Sequence, residues 1–172
     1  MSGLDSFDLQ LYGSGIYFGG QTIWGKVVIS SNTKMTNIEN IRVKLTGFAD
    51  VHWTEFNDEH VYHYRNHEEY LKNEIVIHNG YLPVGLHAFP FSFILPANLP
   101  SSFEGQHGHV RYYVETKLVR SGFFTLTKKK QFVTINSLVD LNQIQGVESP
   151  QTSLTLKHSG VLLYVWTSVC NR

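Results

Sequence analysis

From Ile41 to Trp53 most apolar residues fall on odd positions. Ile41, Val43, Leu45, Ala49, Val51 and Trp53 alternate with Arg42, Lys44, Thr46, Asp50 and His52. Alternation sustained over more than ten residues predicts a strand with one buried face, because a helix would bring apolar residues together every three or four positions. Gly47, in the middle of the run, suggests a bulge. A second run has the same character: Val110, Tyr112, Val114, Thr116 and Leu118 on one face, Arg111, Tyr113, Glu115 and Lys117 on the other.

Shorter pieces fill the rest of the chain. Phe7, Leu9 and Leu11 predict a first strand ending at Gly13-Ser14-Gly15, followed by Ile16-Tyr17-Phe18 and a turn at Gly19-Gly20. Ile23, Val27 and Ile29 line one face of the next, with Gly25 marking a bulge or a close backbone approach. The stretch from Glu55 to Glu69 is polar on both parities and reads as a loop, within which Val61–Tyr64 forms at most a short edge strand. Leu71, Ile75 and Ile77 restore the alternation up to a turn at Asn79-Gly80. Phe89, Phe91, Phe93 and Leu95 then share a face, and Pro90 opposite them, lacking an amide donor, puts that strand at an edge or bulge.

Leu99–Gly108 reads as a turn-rich loop. Pro100 fixes a backbone angle, Ser101 and Ser102 can bond to local amides, and Gly105 and Gly108 permit positive φ. After the Val110 strand come Gly122-Phe123-Phe124, a basic turn at Lys128–Lys130, and a last strand over Phe132–Ile135. No segment keeps a 3.6-residue period. Seven to nine short strands punctuated by Gly, Asn and Ser predict an all-β fold, an antiparallel β-sandwich, with an up-and-down barrel as the alternative. Glu148–Ser153 reads as a linker, and Leu154–Lys157 and Val161–Val169 as isolated strand-like pieces.

Composition narrows the function classes. The 172 residues are 42% hydrophobic and 16% charged, as in an ordinary globular protein, and eleven Phe and nine Tyr suit a sheet-packed interior. Fourteen basic and fourteen acidic residues cancel, removing the electrostatic footprint of a nucleic-acid binder. The single cysteine, Cys170, cannot make an internal disulfide, which points to a reducing compartment. The first residues have no basic segment followed by an apolar run, and the longest apolar run, Val161–Trp166, is far shorter than the ~20 residues of a spanning helix. A cytoplasmic protein is expected.

Candidate chemistry is sparse. His60, His63 and His67 give an H-x2-H-x3-H spacing and His107-x-His109 a second pair, but the surrounding alternation puts them on strand or loop, and no cysteine lies near. Solvated histidines are the plainer reading; a His-rich metal or ligand site over Val61–His67 is the alternative. There is no Gly-x-Ser-x-Gly elbow, and the glycine pairs lie between strands rather than ahead of a helix, so neither nucleophilic catalysis nor phosphate cradling is indicated. Glu68-Glu69 reads as solvated, and Lys128–Lys130 as a solubilising edge or a contact for an acidic partner or membrane surface.

Four stretches together carry a family resemblance: Tyr17–Ile29 (YFGGQTIWGKVVI), Ile41–Glu55 (IRVKLTGFADVHWTE), Gly85–Pro96 (GLHAFPFSFILP) and Leu99–Val114, with its Leu-Pro-Ser-Ser-Phe-Glu-Gly and Val-Arg-Tyr. In this order they resemble the amino-terminal domain of the α-arrestins, the arrestin-domain-containing proteins, over residues 6–146, with Asp140-Leu141-Asn142 where that domain's closing strand ends. The resemblance implies an immunoglobulin-like antiparallel β-sandwich of the arrestin type and no enzyme. It implies an adaptor linking membrane receptors or transporters to a Nedd4-type ubiquitin ligase, endocytosis and intracellular protein transport, with peripheral association at plasma membrane or endosomes. It assigns no catalytic, cofactor-binding or metal-binding residue and leaves the partner-binding residues unknown.

Two departures bear on that implication. The five prolines include no Pro-Pro-x-Tyr motif, which puts direct ligase recruitment by that route in doubt. Phe7–Tyr12 contains no Lys or Arg, so sensing of receptor phosphates, as in visual and β-arrestins, is not supported. Residues 147–172 resemble only loosely the start of a second arrestin domain. A shortened isoform or an incomplete gene model is expected, with a regulatory fragment that sequesters arrestin partners as the alternative function.

Overall fold

Nine strands form among the described residues, 3–57, 60–121 and 126–137, of the computed structural model. They are β1 (Leu4–Leu11), β2 (Ile16–Phe18), β3 (Thr22–Ser31), β4 (Met35–Asn57), β5 (His60–Leu82), β6 (Gly85–Ile94), β7 (Phe103–Glu104), β8 (Gly108–Arg120) and β9 (Leu126–Asn136). One sheet has the order β1-β3-β6; the other runs β2-β9-β8-β4-β5, with β7 on β8. The two open sheets face each other as a sandwich, which excludes the barrel.

Most of the core comes from the alternating runs, although Ala49, Val51, Trp53 and Val110 are only half-buried and Met35, Ile38, Leu82 and Leu99 join the core from outside them. Ile23, Val27 and Ile29 of β3 meet Ile41, Val43 and Leu45 of β4 and Tyr112, Val114 and Leu118 of β8, with Phe91, Phe93 and Leu95 closing one side. Burial of these side chains supplies the main driving force, at about 25 cal/mol per Å² of apolar surface removed from water. Pro90 sits on β6, the edge of the smaller sheet, where a missing amide donor disturbs no neighbour on the open side. All pairs are antiparallel except one: β2 joins the end of β9 in parallel, Ile16 opposite Thr134 and Phe18 opposite Asn136.

The two glycines singled out inside strands do different things. Gly25 lies in an unbroken register with both β1 and β6, so it makes no bulge. It is a close approach instead: a Cβ there would come within 2.6 Å of Phe91 Cζ and 2.8 Å of the Gln10 carbonyl. Gly47 does mark a register shift, but the extra residue is on the partner strand. Gly47 pairs with Leu71 and Phe48 with Glu69, leaving Tyr70 of β5 as the bulged residue, while the pairing of β4 with β8 runs straight through.

Three expectations are corrected. The polar stretch Glu55–Glu69 is no loop: apart from residues 58–59, which lie outside those described, it belongs to a pair of 23-residue strands, β4 and β5, which stay in register from Phe48–Glu69 out to Asn57–His60. The strand β5 also continues past Asn79-Gly80, where Gly80 takes φ 86° within an irregular part of the ladder. Lys128–Lys130 lie within β9 opposite Glu115–Lys117 of β8, rather than in a turn. Gly122-Phe123-Phe124, Asp140-Leu141-Asn142, the Glu148–Ser153 linker, the Leu154–Lys157 and Val161–Val169 pieces and Cys170 lie outside the described residues.

Candidate partner-binding surfaces

The loop Leu99–Gly108 is a strap tied to strands distant in sequence. The Ser102 hydroxyl accepts the Ile135 amide at 2.9 Å, the Ser102 amide donates to the Ile135 carbonyl at 2.7 Å, and the Ser101 hydroxyl accepts the Ser137 amide at 2.9 Å. These serines therefore bond across to the end of β9 and not to their own turn. Neither Gly105 nor Gly108 has positive φ. They allow close contacts instead, Gly105 against the Phe103 ring and Gly108 against the backbone of Asp50 and Val51.

Beneath the strap, Tyr112 is fully buried and its hydroxyl donates to the Pro100 carbonyl at 2.7 Å. Burial pushes its phenol up to about 12, with a smaller contribution from Tyr70. Further out, Glu104 takes Arg111 in a fork, Oε1 to Nε at 2.6 Å and Oε2 to Nη2 at 2.8 Å. That hydrogen-bonded guanidinium holds the Glu104 carboxyl below its ordinary range and raises Arg111 in turn. Since β4 takes one side of β8, β7 and β9 share the other and diverge along it. A shallow cavity of about 660 Å³ opens where they part, lined by Ser102, Phe103, Val110, Phe132 and Thr134 beside the Glu104–Arg111 fork.

The far half of the β4–β5 hairpin is the most exposed part of the fold. The strand β8 stops at Gly108 opposite Val51, and the His52 amide makes one more bond, to the His107 carbonyl at 2.7 Å. From Trp53 to Asn57, β4 has only β5 as a strand partner among the described residues, so the pair continues as a two-stranded ribbon. Isolated ribbons are marginal, and cross-strand side-chain pairs hold this one together. Trp53 stacks on Tyr64 with ring centres 4.8 Å apart, and Thr54 Oγ1 lies 3.1 Å from His63 Nδ1. Phe56, 81% exposed, Val61 and Tyr62 remain open to solvent near the tip.

The candidate histidines are dispersed on this hairpin. His63 and His67 share a face of β5, and His60 has the other parity. His67 Nδ1 meets Asp50 Oδ1 at 2.7 Å, and His109 Nε2 approaches Asp50 Oδ2 at 3.8 Å from β8. The fold thus brings one histidine from each predicted group to the same aspartate, an arrangement across three strands that no sequence spacing could signal. Among the described residues no group of three or more His, Cys, Asp or Glu side chains could hold a metal ion. Likewise, no helix among them is long and apolar enough to cross a membrane.

Residues 7–142 match the family described as the arrestin (or S-antigen) N-terminal domain. The chain belongs to the arrestin family. Its relatives place this arrestin domain in the α-arrestin branch. It is 32% identical over 157 residues to arrestin domain-containing protein 17 of Caenorhabditis elegans, covering 83% of this chain and 36% of that one. It is 27% identical to human arrestin domain-containing protein 5, over 87% of this chain and 45% of the relative. Mouse arrestin domain-containing protein 1 is 35% identical over 91 residues, 52% of this chain and 21% of that one. The arrestin domain described here therefore spans less than half the length of these curated relatives. Among solved structures, the sporulation control protein Spo0M from Bacillus subtilis superposes with a TM-score of 0.52 at 20% identity, over 77% of this chain and 49% of that one, a likeness of fold. The arrestin family consists generally of non-enzymatic adaptors.

Proposed function

We propose that this arrestin domain is a protein-binding adaptor in membrane-protein traffic, connecting receptors or transporters with a Nedd4-type ubiquitin ligase, endocytosis and intracellular transport from the cytoplasmic side. Family membership supports the adaptor class. One structural observation supports the mode of contact: the ribbon beyond Val51 keeps Phe56, Val61 and Tyr62 exposed although the strands that carry them are ordered by cross-strand pairs. Exposed aromatic and branched side chains on a rigid support cost little ordering entropy when a partner covers them, which is how binding anchors work.

Proximity labelling in cells tests this with the full chain and a ribbon variant carrying Phe56→Ser and Tyr62→Ser. The full chain is expected to label transporters or receptors together with ligase or endosomal proteins, and the ribbon variant to lose the membrane cargo while keeping the sandwich's thermal transition. A cargo profile indistinguishable from that of an unrelated cytoplasmic control would overturn the adaptor reading.

A further inference from the structure

Four strand edges of the two sheets differ in how they are guarded against pairing with another chain. The strand β1 has eight residues, Asp5 and Asp8 among them, and β6 carries Pro90. The strand β9, which β2 covers only at Thr134–Asn136, carries Lys128, Lys129 and Lys130 in succession on its open part, which would face like charges in a self-pair. The β5 edge is different. It ends the larger sheet, and from His60 to Leu71 it contains neither proline nor lysine; its charges, Arg65, Glu68 and Glu69, are of both signs and so can complement one another in a self-pair. His60–Glu69 are all exposed and keep one continuous register on β4, so this part of the edge is regular.

We propose that two copies of this chain pair antiparallel through the β5 edge, about a two-fold axis at His67. A symmetric antiparallel pair that keeps the side chains of both copies on matching faces must place one residue opposite its own copy. Charge then selects which. An axis at Arg65, Glu68 or Glu69 sets like charges directly opposite. An axis at His67 sets Arg65 opposite Glu69 twice and Asn66 opposite Glu68 twice. Within His60–Glu74 no other axis places Arg65 across from a carboxylate.

The remaining features agree with that register. Among the described residues Arg65 has no ion-pair partner, while Glu69 is held only by Lys72 at 3.4 Å. Each His67 at the axis is bonded to Asp50 of its own copy at 2.7 Å, so the two imidazoles meet with a carboxylate beside each. The Tyr70 bulge ends the regular edge just beyond Glu69, which by symmetry limits the new ladder to Arg65–Glu69 of each copy. Five paired residues make an ordinary strand contact and a closed dimer, since the bulge stops the pairing on both sides.

Sedimentation of the full chain over a concentration series reads the association directly. The unaltered chain is expected to shift from monomer to dimer. Arg65→Glu or Glu69→Arg alone should weaken the dimer by roughly tenfold or more, because each sets carboxylates or guanidiniums against each other twice. The double variant R65E/E69R restores opposite charges and should recover dimerisation, and a thermal transition kept by each single variant shows that its loss of pairing is not a loss of fold. In a Cys170→Ser background, His67→Cys should oxidise to a disulfide-linked dimer, and Val61→Cys should not. A chain that stays monomeric throughout, a dimer insensitive to the single reversals, or a double variant that does not recover would each overturn the proposal.

Discussion

Gly47 and Tyr112 face each other across β4 and β8, and the tyrosine ring occupies the place where a side chain on Gly47 would begin. A Cβ there would overlap ring carbons Cδ1 and Cε1 and touch Leu71 Cβ at 3.3 Å. Since Tyr112 is fully buried, its ring has nowhere to retreat. Gly47→Ala should therefore lower unfolding free energy by about 1–3 kcal/mol, the usual range for overpacking. Urea titration should show a lower midpoint with an unchanged slope. Combining it with Tyr112→Ala should cost less than the sum of the two, because the ring is the group that clashes.

The hydroxyl of the same tyrosine makes a second prediction. Tyr112→Phe leaves the Pro100 carbonyl without its partner and should cost about 1–2 kcal/mol at neutral pH. The alkaline limb should differ as well. The buried phenol ionises near 12, whereas the unfolded chain's ionises near 10. The contribution is thus complete below pH 10 and is lost as the pH rises toward 12, about 3 kcal/mol in all. Unfolding curves from pH 9 to 12 should show that decline for the unaltered chain and a shallower one for Tyr112→Phe.

Ser102 bonds to Ile135 through both its hydroxyl and its amide, so its substitution tests whether the strap is a structural element. Ser102→Ala should remove about 1 kcal/mol and speed exchange of the Ile135 amide, a residue whose side chain is fully buried. Ser101→Ala should act similarly on the Ser137 amide with a smaller effect on stability, since that bond is exposed. Unchanged exchange at Ile135 in Ser102→Ala would show that the backbone pair alone holds the strap.

Glu104 and Arg111 tie β7 to β8 at the rim of the cavity. Hydrogen bonding to Arg111 depresses the Glu104 carboxyl below its ordinary value near 4.5. Its contribution is present above that value and is lost as pH falls through the depressed one. Amide protection at Phe103 and Glu104, taken relative to the intrinsic exchange rate at each pH, should fall as the pH drops through and below the ordinary carboxylate range. In Glu104→Gln those amides should already be less protected at neutral pH, with little further loss in acid. The global unfolding midpoint should barely move, because the pair is exposed to solvent.

Alternation along the chain determined most of the sandwich. Ile41–Leu45, Val110–Leu118 and Phe91–Leu95 each bury one face, and a strand with one buried face writes a period of two into its residues. The same logic explains the largest miss. His60–Glu69 is exposed on both faces, so nothing there selects apolar residues on alternate positions, and a long strand reads as a loop. Order in that segment comes from β4, through contacts such as Trp53 on Tyr64 and Asp50 with His67. The serines of the strap are a second case. Their residue type announced a bond to a backbone amide, but only tertiary structure decided that the amides belong to Ile135 and Ser137, more than thirty residues away. Sequence also marked Gly47 as special without saying why. The reason is the Tyr112 ring over it, and that neighbour exists only once β4 and β8 have paired.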